Sequence, residues 1–306
     1  MQLRFDFGDK MHDPKRNAQL FTSRRINEIA NGDLSFLLEI AAVHEKKLPE
    51  FFSVLDVFEL CFLELSKNYR AEYYFKNTVA RKILFGIHSL NTATVIPEFR
   101  VGKNKADCVV LNGRSVCYEI KSSYDNLSRL PDQLASYKKI FDEVVVVTSR
   151  EHLEKVIESI PCDVGVSELT KRNTLSIVKN ASNNSSEPVD IPILMKSLRL
   201  NEYKEMVRLA TGKAPSENNT EIYEKCEKEL SKISSQKIRE LFCKVLKETR
   251  KIDKGYVTKL PESLLIAGIG YSMKQSSKKT FVNNLNINLS KEMLCTTRFS
   301  EVSSSS

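Results

Sequence analysis

Three residues in one short stretch have the types and spacing of a metal-assisted hydrolytic centre: Asp107, Glu119 and Lys121. Asp107 stands in the apolar run ADCVVL (106–111), and Glu119-Ile120-Lys121 in SVCYEIKS (115–122). Both runs read as strands, and NGR (112–114) between them has the composition of a hairpin loop. If all three residues form the loop, Asp107 faces Glu119 across the ladder, and alternation puts Lys121 on the same face as Glu119. A two-residue loop would break that alignment. On the three-residue register Cys108, Val110, Tyr118 and Ile120 point the other way, into the core. Two carboxylates and one lysine on a sheet face leave one negative charge uncompensated. A hard divalent cation removes the conflict, because Mg²⁺ is commonly held by one or two carboxylates with water and substrate phosphate. Such an ion lowers the pKa of a bound water and stabilises charge on phosphoryl oxygens, while a lysine beside it can orient that water. Charged, solvated strand ends would give the same three letters, so the surrounding elements decide.

Residues 17–90 read as helical. Asp33 is an expected N-cap for a helix to about Lys46, Pro49 precedes a helix through Lys67, and Glu72, Phe75, Val79 and Ile83 recur at helical spacing over 70–84. Strands follow at 92–101, 106–111 and 115–122, then a helix over 126–141. EVVVVTS (143–149) has the continuous β-branched run of a strand buried on both faces. A helix at 151–159 and strands at 162–169 and 174–180 complete an α/β sheet covered on both faces. The expected organisation is therefore a helical extension (1–69), a core (70–180), a polar linker (181–190), a lysine-rich helical region (191–271) and a Ser/Asn/Lys-rich tail (272–306) of doubtful order.

The arrangement D-x(11)-E-x-K on the second and third strands of this series resembles the PD-(D/E)XK nuclease superfamily. On the following helix Gln133 and Tyr137 form Q-x-x-x-Y, similar to the motif of its RecB-like branch. The run EIKSSYDNLSRLPDQLASYKKIFDEVVVVTS is similar to small stand-alone bacterial members. The resemblance covers about residues 70–180. It implies a restriction-endonuclease-like core, a mixed sheet flanked by helices, with N-terminal helices and a helical C-terminal region outside it. It also implies a metal-dependent nuclease that hydrolyses phosphodiester bonds of nucleic acid, DNA foremost, with Mg²⁺ as cofactor and Mn²⁺ able to substitute. Carried over by position, Asp107 and Glu119 bind the metal and the backbone carbonyl of Ile120 adds a ligand. Lys121 positions the attacking water at the substrate phosphate, and Gln133 and Tyr137 orient that phosphate or the lysine. Glu72, on the helix before the sheet, stands where many members carry a further acidic ligand, and Glu98 in the first strand competes for that role. Arg129, one turn before Gln133, meets a phosphate or caps the helix face. Ala106 replaces the proline of the motif's name, a common departure. Two of these residues also have plain helical partners, Gln133 with Tyr137 and Glu72 with Lys76, each at i,i+4. The rival reading is a catalytically inactive nucleic-acid-binding or partner-binding protein of a defence or repair system.

Composition bounds these readings. The net charge of +8 resides in residues 191–306, which hold 21 Lys+Arg against 13 Asp+Glu. A basic region beside a neutral one suits a polyanion; a homodimer or a partner protein are the other expected associations. Seven scattered cysteines and four dispersed histidines give neither a disulfide framework nor a zinc-ligand pattern. The most apolar stretch, 51–65, is too short and too charged to span a bilayer. The first residues lack the apolar run of a signal peptide, so a cytoplasmic protein without membrane association is expected. No G-x-x-x-x-G-K-[ST] occurs, so ATP-driven translocation would need another polypeptide.

Overall fold

The computed structural model describes residues 14–87, 92–122, 124–216, 218 and 221–294. The chain forms two compact units, one from residues up to 77 together with those from 254 on, the other from 78–253.

The first unit is mostly helical: α1 (Pro14–Gln19), α2 (Ser23–Ala30), α3 (Ser35–Val43), a short strand β1 (Phe51–Ser53), α4 (Val54–Asn68) and α5 (Glu72–Arg81), within which the unit boundary falls. The helix expected directly after Pro49 begins only at Val54. Ser53 caps it: its hydroxyl accepts from the Asp56 amide at 3.2 Å while the Asp56 carboxylate accepts from the Ser53 amide at 2.7 Å. Phe51, Phe52 and the cap Ser53 itself pair instead with residues 288–290.

The second unit carries the sheet. Its elements are β2 (Thr94–Val101), β3 (Asn104–Leu111), β4 (Ser115–Lys121), α6 (Leu130–Lys138), β5 (Glu143–Thr148), α7 (Leu153–Ser159), β6 (Gly165–Leu169), β7 (Leu175–Lys179), then α8 (Ile191–Ser197), α9 (Leu200–Thr211), α10 (Ile222–Leu230) and α11 (Ser235–Thr249). The chain returns to the first unit with α12 (Lys254–Val257), α13 (Leu265–Gly270), α14 (Gln275–Asn284) and β8 (Asn288–Ser290), which pairs antiparallel with β1. Much of the tail expected to be poorly ordered is therefore regular structure; 295–306 lie outside the described residues.

The six strands lie in the order β2-β3-β4-β5-β6-β7, parallel at β4-β5 and β5-β6 and antiparallel elsewhere. The fold is mixed α/β, a mixed sheet flanked by helices. Asn112, Gly113 and Arg114 form a three-residue loop, with Gly113 at φ 75° in the left-handed region that glycine tolerates. Leu111 accordingly pairs with Ser115 and Cys108 with Tyr118, the register that sets Asp107 opposite Glu119.

The position of the core differs from expectation. Val109, Leu111, Cys117, Val144 and Val146 have the strand parity of Asp107 and Glu119, and they join one apolar cluster with α6, α7 and α8–α11. Cys108, Val110 and Ile120, expected to form the core side, are buried, but Tyr118 is only half-buried. That opposite face opens at Tyr118, Val145 and Ile177 as a shallow cleft. The reason lies in topology. The parallel crossovers β4-α6-β5 and β5-α7-β6 step the same way along the sheet, so a common handedness lays both helices on one face.

The organisation expected after residue 180 also differs. Phe242 of α11 packs edge-on against Phe99 of β2 and Phe141 after α6, both at 6.0 Å between centroids. The segment 181–190 is tied down: the Asn184 amide donates to the Asp142 carbonyl at 2.7 Å, and Asp190 caps α8 through Ile193 N at 3.0 Å. Residues 191–253 thus share the sheet's core. Several of their charges pair locally, as Lys237 with Glu240 on α11 and Lys232 with Glu229 at the end of α10. Among the described residues no helix is long and apolar enough to cross a membrane.

Candidate functional site

Strand β4 ends on the two charged residues of the motif. Val146 and Thr148 of β5 pair with Glu119 and Lys121 in parallel register, and the Thr148 hydroxyl donates to the Lys121 carbonyl at 2.8 Å. This closes the C-terminal edge of β4 and fixes its backbone. Across β3, the Asp107 carboxylate accepts from the Ile120 amide at 2.8 Å, which holds Asp107 beside the Glu119-Ile120-Lys121 segment.

Glu119 and Lys121 are both buried, and the lysine ammonium donates to Glu119 at 2.8 Å. Helix α6 supplies the remaining partners. Gln133 Oε1 accepts from Lys121 Nζ at 3.0 Å, and the Tyr137 hydroxyl donates to the second Glu119 oxygen at 3.0 Å. The helix begins at Leu130, four residues later than expected, because Pro131 suits a first helical turn and the residues before it form side-chain-bonded turns. Gln133 and Tyr137 then stand one turn apart on the side facing the sheet.

Burial and the neighbouring Asp107 charge push the Glu119 carboxyl up to about 7, against the lowering effect of Lys121 and the Tyr137 hydrogen bond. Burial and Glu119 push the Tyr137 hydroxyl far above its ordinary range, so it remains a donor. The site therefore holds more carboxylate than its one lysine can balance.

Glu98 adds to that excess. A carboxylate oxygen of Glu98 lies within 4.8 Å of one of Asp107. Pro97 pairs with Cys108 and Phe99 with Ala106, so Glu98 stands at the ladder position opposite Asp107. Its backbone is left-handed, at φ 56°, a conformation that costs a non-glycine residue about 1–2 kcal/mol. No pattern of residue types in β2 signals this kink. Glu98 also forms an ion pair with Lys105.

The sequence-expected residues have different bonding partners. Asp107, Glu119, Lys121, Gln133 and Tyr137 are joined by direct bonds or charge. Gln133 meets the lysine, and Tyr137 meets Glu119 instead of standing free for a phosphate. Ile120 contributes its amide to Asp107 and buries its side chain. Arg129 is exposed at the N-terminus of α6, with no ion pair among the described residues. Glu72 belongs to the first unit, is exposed, and pairs with Lys76 one turn along its own helix.

Carboxylate oxygens are the donors a hard divalent cation takes, and those of Asp107 and Glu98 lie within 4.8 Å of each other.

Residues 66–264 match the family described as Bacteriophage P4 protein cII. Protein cII of Enterobacteria phage P4 is 36% identical over 87 residues, which are 28% of this chain and 33% of that protein. The match thus spans about a third of that curated relative. A solved protein of unknown function from Silicibacter pomeroyi aligns over 46% of this chain and 91% of its own, at 15% identity and a TM-score of 0.30.

Proposed function

We propose that this chain, which belongs to the Bacteriophage P4 protein cII family, is a metal-dependent nuclease of the PD-(D/E)XK kind acting in the cytoplasm. The observation that carries the reading is the bonded set Asp107–Ile120 amide, Glu119–Lys121–Gln133 and Glu119–Tyr137 at the C-terminal end of β4, an inner strand of the mixed sheet.

In this reading Asp107 and Glu119 hold Mg²⁺, or Mn²⁺ in its place, with the Ile120 carbonyl and Glu98 as further oxygen ligands. The bound ion supplies an acidified water and charge neutralisation at the phosphate. Tyr137 donates to one Glu119 oxygen and would keep that carboxylate in place. Gln133, which accepts from the Lys121 ammonium, would help hold it toward the water and the phosphoryl oxygens. Arg129 takes a neighbouring backbone phosphate, a contact that positions without reading sequence. DNA is the substrate we favour, in a defence or repair setting.

The test is a panel of end-labelled single- and double-stranded DNA and RNA, incubated with Mg²⁺, Mn²⁺ or EDTA. Cleavage of at least one substrate with either metal and none in EDTA is expected. Binding without cleavage under every condition would favour the inactive nucleic-acid-binding reading instead.

A further inference from the structure

The loop from β4 to α6 starts and ends at one ammonium group. Lys121 begins it, and Gln133 on α6 accepts from Lys121 Nζ at 3.0 Å. Side chains stiffen the loop between them. The Asp125 carboxylate accepts from the Ser122 amide and hydroxyl, both at 2.7 Å, and Asn126 Oδ1 accepts from the Ser128 amide at 2.7 Å. On this framed turn Tyr124 is 62% exposed, the most exposed aromatic side chain among the described residues of its unit. Two residues of chain separate it from Lys121, so their Cα atoms are within about 11 Å. Arg129, exposed, stands at the far end of the same loop.

An exposed ring and an exposed arginine on one loop match the two needs of an unpaired strand: a platform for a base face and a charge for a phosphate. In an intact duplex each base face is already stacked on its neighbour. We infer that the site takes single-stranded nucleic acid, with one base stacked on Tyr124 and a phosphate on Arg129; this rests on the nuclease reading of the same site.

The chain has no tryptophan, so Tyr124→Trp introduces a single reporter. Its fluorescence is titrated with a single-stranded oligonucleotide and with a duplex of equal length, in EDTA and again in Mg²⁺. Saturable quenching by the single strand and little by the duplex is expected. Tyr124→Ala should weaken single-strand binding roughly tenfold or more, while Tyr124→Phe keeps it, since the ring does the stacking. No quenching by the single strand, equal quenching by the duplex, or wild-type binding by Tyr124→Ala would each overturn the inference. The EDTA titration reads binding alone. Quenching there without cleavage in Mg²⁺ sinks the nuclease reading, whereas cleavage without quenching sinks only the stacking.

Discussion

Glu119 accepts from an ammonium and a phenol, yet its carboxyl is pushed up to about 7, because burial and Asp107 outweigh both donors. The sign of the consequence follows from linkage. The folded state holds the Glu119 proton more tightly than the unfolded chain, whose value is 4.5. Metal-free stability should therefore fall as pH rises from about 4.5 to about 7 and then level off. On the proposed reading, metal should reverse the trend, since it would bind the ionised form and displace the proton. Apparent Mg²⁺ affinity is expected to rise with pH up to about 7 and then flatten, with proton release on binding at pH 6. Calorimetry in two buffers of different ionisation enthalpy measures that release. Glu119→Gln should abolish both metal binding and its pH dependence; unchanged Mg²⁺ affinity in this variant would exclude Glu119 as a ligand. Its bonds were readable in part from the residues alone. Loop length set the register of Asp107 and Glu119, and helical spacing put Gln133 and Tyr137 together. Which oxygen each would meet depends on where α6 begins, and that was not.

At the scale of elements, β2 carries the least readable feature of the site. Glu98 opposes Asp107 through a left-handed backbone in mid-strand, a conformation set by the whole hairpin and not by local residue type. Its strain gives a test that reverses a usual rule. In an ordinary strand glycine is less stable than alanine by about 0.5–1 kcal/mol. At position 98 we expect Glu98→Gly to be more stable than Glu98→Ala by about 1 kcal/mol in metal-free denaturant titrations, because only glycine adopts φ 56° freely. Both should bind Mg²⁺ more weakly than the wild type. An alanine variant as stable as the glycine variant would mean the kink carries no strain. The short strands β1 and β8 were equally hidden, since three-residue strands show no period, and Phe51–Ser53 reads as the lead-in to a helix.

At the scale of the molecule, the sheet of residues 94–179 and the helices of 191–249 share one core, joined at Phe99, Phe141 and Phe242. The mixed α/β class was readable from the order of helical and alternating segments. The shared core was not, because a polar stretch such as 181–188 looks like a linker until its backbone bonds are seen. Truncation at residue 190 is therefore expected to leave a chain without cooperative thermal unfolding, not an independent core. Phe242→Ala in the full chain should cost about 3–5 kcal/mol. A sharp melting transition in the truncated chain would contradict this account of the core.

The most direct measurement of the central claim is the single-turnover cleavage rate of one DNA substrate in Mg²⁺ by the wild type, Glu119→Gln and Lys121→Met, with EDTA as the zero. Methionine keeps the lysine's bulk and removes its charge. Lys121→Met should bind Mg²⁺ at least as well as the wild type, because it removes the cation that competes for Glu119, and should cut about a hundredfold more slowly or worse. Glu119→Gln should fall to the EDTA level. Wild-type rates in both variants would contradict the assignment of Asp107, Glu119 and Lys121 as a metal-dependent nuclease centre.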